Sequence, residues 1–233
     1  MTNPDNSFDV YASDYDQALA RGISASGEDK NYFARKRIEW LKYCLTISSL
    51  PIRRIMDFGC GTGSSAPFFF EILEVEQLIG TDRSPNSLAI AEKIYGSNRA
   101  RFLSDLQYCP VGDIELVFSN GVFHHIPPGE RGAAAEYVLR SLTAGGLFAF
   151  WENNPWNPAT RYVMSRIPFD KDAIMLSARE AQQLLRNQGF EILRTDFLFI
   201  FPRALHKLRW IEFYCSRLPF GAQYQVLCRK PNK

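Results

Sequence analysis

Three glycines and a carboxylate in one short run, Asp57-Phe58-Gly59-Cys60-Gly61-Thr62-Gly63, carry the plainest chemical meaning in this chain of 233 residues. Glycine at a turn reaches positive φ and lets the backbone approach a ligand with no Cβ in between. The dinucleotide fingerprint spaces its glycines Gly-x-Gly-x-x-Gly and offers a helix N-terminus to a pyrophosphate. Here the spacing is Gly-x-Gly-x-Gly, and Asp57 at the mouth would repel a phosphate, so a cationic ligand suits the turn better. A second carboxylate, Asp82, ends another apolar stretch further on. In an open parallel sheet that position meets the hydroxyls of a ribose bound at the first turn, and an ionised carboxylate accepts two such hydrogen bonds. His124, His125, Glu152 and His206 are the titratable residues on the loops where an acceptor would lie. An imidazole near neutral pKa is the natural base there, and of the adjacent pair His125 is read as facing the pocket. The alternative is that both histidines cap a strand end.

These side chains need a particular framework. Ile52, Ile55, Met56 and Phe58 read as a buried strand running into the glycine turn. A helix follows from Ser64-Ser65-Ala66-Pro67 through Leu73, with hydroxyl residues at its cap and proline in its first turn. Further strands are expected at Gln77–Asp82, Ala100–Leu103, Ile114–Asn120, Leu147–Trp151, Phe190–Phe201 and Ala222–Arg229. Between them, Ser84-Pro85 opens a helix to Tyr95, and another covers Ala133–Leu142 before the Gly145-Gly146 turn. Ser177 and Glu180 form a capping box for a helix that Gly189 stops. Apolar residues at 33, 37/38, 41 and 45 predict an earlier amphipathic helix, and those at 205, 208, 210 or 211 and 214 a later one.

Asp57-Phe-Gly-Cys-Gly-Thr-Gly63 resembles motif I of the class I S-adenosylmethionine-dependent methyltransferase superfamily. Phe123-His124-His125-Ile126-Pro127-Pro128 and the glycine pair before the fifth strand resemble two further segments of it. The resemblance implies an α/β, Rossmann-like fold: a seven-stranded, mostly parallel sheet with helices on both faces and the last strand antiparallel. It implies S-adenosyl-L-methionine as cofactor, held by Asp57, Gly59, Cys60, Gly61, Gly63, Asp82, Arg83, Asp105, Leu106 and Asn120. Asp105 would accept a bond from the adenine amino group, or else make an Asx turn. The domain reading is one unit over 1–233, with an N-terminal lid or helical extension at 1–48 and substrate-side inserts at 152–176 and 202–220. Glu152-Asn153-Asn154-Pro155-Trp156-Asn157-Pro158 resembles a signature of one bacterial subgroup of small-molecule methyltransferases, with Asn153 where that signature has histidine. Tyr11, Tyr15, Tyr32, Asn153, Trp156 and His206 are the substrate or lid candidates. The tyrosines could equally staple the N-terminal segment to the surface, and the 202–220 insert could make a dimer contact. The expected reaction is O- or N-methylation of a metabolite, sugar or lipid intermediate. A same-fold enzyme with other chemistry and a catalytically silent cofactor-binding partner protein are the alternatives.

Composition narrows the partners. A formal charge of +2 gives no basic stripe for nucleic acid, and the chain shows no apolar run of membrane-spanning length. Five cysteines without a CxxC pair argue against a disulfide framework, and no metal-ligand spacing is evident. The polar N-terminus lacks an apolar signal core, so a cytoplasmic location is expected. Nothing in the sequence sets the oligomeric state.

Overall fold

The computed structural model of the protein describes residues 21–46, 50–167, 170 and 173–232. Tyr11 and Tyr15 lie outside the described residues, as does most of the 168–172 stretch. Helix α1, Lys30–Leu45, is capped by Asp29, whose side chain accepts from Tyr32 N. It buries Ala34, Ile38, Leu41 and Cys44, a face turned slightly from the one expected from 33 and 45.

The central elements follow in order: β1 (Arg54–Phe58), a helical turn α2 (Ala66–Phe68) continuing as a π turn (Phe69–Leu73), and β2 (Gln77–Asp82). Then come α3 (Pro85–Tyr95), β3 (Ala100–Ser104), β4 (Ile114–Asn120), α4 (Arg131–Ser141) and β5 (Leu142–Asn153). After α5 (Pro158–Met164) and α6 (Ala178–Asn187), β6 (Glu191–Leu198) is followed by a 3-10 stretch (Arg203–Ile211), α7 (Glu212–Cys215) and β7 (Gln223–Arg229). The strands lie in the order β3-β2-β1-β4-β5-β7-β6, and β7 pairs antiparallel with both neighbours. The expected fold class is therefore the observed one. The order reverses between β1 and β4, and in such sheets ligands bind at the carboxyl ends of the strands on either side of that point.

Successive strand residues point to opposite faces, and the core divides accordingly. Ile55, Leu116, Phe118, Leu147, Ala149 and Trp151 pack with α1, α2 and α3. Met56, Val117, Phe148, Phe150, Tyr224 and Val226 pack with α4 and α6. Burial on both faces is why β5 reads as an unbroken apolar run over Leu147–Trp151.

Several local expectations shift. Ser65 precedes α2 without a side-chain cap, and that helix has one short turn before widening. The sixth strand stops at Leu198 rather than Phe201, because Phe199 turns to φ +65° and leaves the extended region. The fifth strand begins early: Leu142 already pairs with Ile114, and the register then jumps across the glycine turn. The apolar residues 205, 208, 211 and 214 recur every third residue, which is the repeat of a 3-10 helix. That conformation is what Arg203–Ile211 adopts, with a kink at Leu205, and no residue of it is buried.

Candidate functional site

The glycine turn is pinned from below. Gly59 N and Cys60 N both donate to Thr81 O, at 2.8 and 3.0 Å, and Gly63 N closes the turn on Cys60 O at 2.9 Å. All three glycines have positive φ: +73° at Gly59, +51° at Gly61 and +75° at Gly63. A Cβ at Gly59 would stand 2.2 Å from Val122 Cγ2, whereas one at Gly61 would meet nothing within 4 Å. Gly59 is thus a packing glycine, and Gly61 presents open backbone to the rim. Cys60 turns its thiol into the core, so only its backbone belongs to the turn.

Asp82 closes the turn from the side. Its Oδ2 accepts from Gly61 N at 2.8 Å and its Oδ1 from Ser84 N at 2.9 Å, and the Arg83 backbone also bonds to it. Asp57 is almost fully buried. Burial, then the Asp82 carboxylate, push its carboxyl up to about 8, against the opposing field of Arg37. A buried acid held neutral beside a second acid is ready for a cation. Asp105 is ion-paired with Arg83 at 3.2 Å, which joins the ends of β2 and β3, and Leu106 beside it is exposed. Asn120, ending β4, has a buried Oδ1 that makes no hydrogen bond.

Past Asn120 the chain makes a tight turn, His125 N to Val122 O at 3.0 Å, which sets His124 and His125 side by side. Glu152 is buried beneath this turn rather than exposed to a ligand. It accepts from Phe123 N at 2.8 Å and His124 N at 3.2 Å, and meets His124 Nδ1 at 2.6 Å. On the far side stands Asp170: its Oδ1 is 3.5 Å from His124 Nε2 and 3.3 Å from His125 Nε2. The longer separation is a charge contact rather than a hydrogen bond, and His124 Nε2 is otherwise unpartnered. Burial works against charge on His124, but Glu152 and Asp170 together outweigh it and lift its pKa to about 10. His125 goes the other way: burial, aided by the charge of His124, pushes it down against the attraction of Asp170.

Arg131 holds the turn to the loop that carries Asp170. It donates to Phe123 O and Ile126 O, both at 2.9 Å, and also to Ile174 O, while Ile174 N donates to His124 O at 2.9 Å. Neither Asp170 nor Arg131 was singled out in the sequence. For Asp170 the signal in the sequence is its place in the 152–176 insert.

A cavity of about 230 Å³ opens past the glycine turn, and none of Asp57, Gly61, Asp82 and Asp105 lines it. Its lining runs from Ser64 and Ser65 past Asn120 to His124, His125 and Asp170, with Lys30 and Arg37 of α1 on the opposite wall. Asn153 and the α5 residue Thr160 also line it. Tyr32 does not: its ring lies under the Arg209 guanidinium, 4.6 Å away. Trp156 is three-quarters exposed, and His206 is exposed with Nδ1 on Arg203 O, so both stand apart from the cavity. No residue of the 202–220 insert lines it.

Residues 55–146 match the family model described as "Methyltransferase domain". The chain is 26% identical over 174 residues to a trans-aconitate 2-methyltransferase of Acidovorax sp. (strain JS42), covering 69% of this chain and 67% of that protein. Among solved structures, a chain of the complex between the Haloferax volcanii Trm112 methyltransferase activator and a methyltransferase superposes with a TM-score of 0.64 at 18% identity, over 97% of this chain and 98% of that one. The [4+2]-cyclase SpnF has a TM-score of 0.60 at 19% identity, over 84% and 81%. The glycine turn, the buried acid beneath it and the family match lie on the same strands, and residues 55–146 carry a methyltransferase domain of the S-adenosylmethionine-dependent kind.

Proposed function

We propose that the protein transfers a methyl group to an oxygen of a small anionic acceptor. The cofactor would bring the methyl group already activated on a sulfonium. The chain's residues then have to bind, align and exclude water. In this reading Asp57 faces the ammonium of the amino-acid end, and Arg37, within its field, faces the carboxylate. Open backbone at Gly61 gives close approach, and Asp82 offers its carboxylate to the ribose hydroxyls. Arg83, Asp105 and Leu106 stand on the outer rim for the adenine end, and Asn120 Oδ1 awaits a donor between the two halves.

The observation that carries the acceptor assignment is the cavity wall. Lys30 faces a chamber smaller than the roughly 300–1,000 Å³ that holds drug-sized ligands, which suits a compact anion. Relatives named for methylating trans-aconitate, a polycarboxylate, support the same class. The test is release of S-adenosylhomocysteine across a panel of di- and tricarboxylates, hydroxy acids, amines, phenols and sugars. Turnover is expected with carboxylates or hydroxy acids, with KM rising at least fivefold in Lys30→Ala. Turnover confined to amines or neutral sugars would defeat the assignment. The fold's use by a [4+2]-cyclase keeps a second reading alive; acceptor conversion without release of S-adenosylhomocysteine would select it.

A further inference from the structure

We infer that His124, His125 and Asp170 form a binding site for one first-row divalent transition-metal ion on the floor of the cavity. The inference rests on the methyl-transfer reading for its purpose but on separate residues for its evidence. One donor atom from each of the three side chains lies within 4.8 Å of the others. Asp170 Oδ1 is 3.3 Å from His125 Nε2 and 3.5 Å from His124 Nε2. Ligand bonds of about 2.0–2.1 Å put neighbouring donors of a tetrahedral or octahedral ion roughly 3.0–3.4 Å apart, so small movements would seat all three on one ion. Two imidazoles and one carboxylate form a donor set suited to Zn²⁺, Fe²⁺ and their neighbours, and leave coordination positions open.

Two further features belong to a built site. His124 Nε2 is buried in a nearly inaccessible ring, makes no hydrogen bond, and is the ring nitrogen turned toward Asp170. Its other nitrogen meets Glu152 at 2.6 Å. A carboxylate on the far nitrogen of a ligating histidine fixes ring orientation and raises ligand strength. Glu152 is itself held by backbone N–H groups of Phe123 and His124. All three residues line the cavity. An acceptor presenting two oxygens, a carboxylate with a neighbouring hydroxyl or second carboxylate, would chelate there and be fixed by the ion and by Lys30.

The bland counterpart is an ionised His124 bridging two carboxylates with no ion at all. Titrating chelator-treated full-length protein with Co²⁺, by calorimetry and visible absorption, separates the two. The expected result is one Co²⁺ per chain at micromolar affinity, with the absorption bands of a nitrogen- and oxygen-ligated ion. Asp170→Asn and His125→Gln should each weaken uptake at least tenfold, and Glu152→Gln should weaken it ten- to a hundredfold. Circular dichroism checks the fold of each variant, and His125→Gln is half-sheltered rather than core, so it serves if Asp170→Asn fails to fold. No stoichiometric uptake, or uptake equal in wild type and variants, overturns the site. S-adenosylhomocysteine binding is titrated in parallel. Its absence would sink the methyl-transfer reading, whereas its presence without Co²⁺ uptake sinks only the metal site.

Discussion

The two halves of the rim are made differently. At β1–β2–β3 the site is largely backbone: a glycine turn hung on Thr81 O and clamped by one carboxylate 21 positions along the chain. At β4–β5 it is side chains drawn from afar, with His124 meeting Glu152 at a separation of 28 residues and Asp170 arriving on a third segment. In the proposed reading the first half is a preformed mould for a constant ligand. The second is a charged cluster on loops, the part of a fold free to change with the acceptor.

That contrast can be broken at its weak points. The largest effect is expected at Glu152. Its removal strands the His124 charge in a buried place, and losing one partner of such a pair costs about 3–5 kcal/mol. Urea unfolding of Glu152→Ala should show that loss, and a loss under 1 kcal/mol would mean the cluster is not charged as described. Gly59→Ala should come next, at about 2–3 kcal/mol, because a side chain there is strained at φ +73° and collides with Val122. It should also abolish cofactor binding, while the His124–Asp170 cluster keeps its geometry. If the acceptor half collapses with it, the halves are not independent. Asp82→Ala should cost about 1–3 kcal/mol of cofactor affinity, the penalty for hydroxyls and loop N–H groups left unpaired. Unchanged affinity would remove Asp82 from the ribose role.

The same division explains what could be read in advance. Asp57, the glycines and Asp82 are local, since a strand, a turn and the next strand's end lie close in sequence and obey short-range rules. The individual strands and helices were legible from apolar runs and from caps such as Ser177–Glu180, which the structure contains, whereas the seven-stranded sheet with one antiparallel strand was implied by the resemblance and its order is set by the structure. Asp170, Arg131, Lys30 and Arg37 were not visible as site residues, because their positions depend on how α1 and the loop before α6 fold back over β4. Glu152 was chosen as a catalytic candidate, but its position inside the strand end makes it the support of His124 instead. Similarly, the apolar repeat at 205–214 reads as an amphipathic helix, whereas its three-residue period describes an exposed 3-10 stretch.

The central claim is that a buried, neutral Asp57 is ionised to receive a cationic ligand. An acid whose folded pKa of about 8 exceeds its ordinary value of 3.8 favours the fold below about pH 4, and that contribution is lost as pH rises through 8. The ligand-free protein should therefore lose stability from Asp57 across that window, and Asp57→Asn should flatten the profile. The most direct measurement is calorimetric titration of S-adenosylmethionine at pH 7 in buffers of different ionisation heat. One molecule bound per chain with release of close to one proton, and a release lost in Asp57→Asn, is the predicted result. No binding, or binding with no proton exchanged and equal affinity in Asp57→Asn, would contradict it.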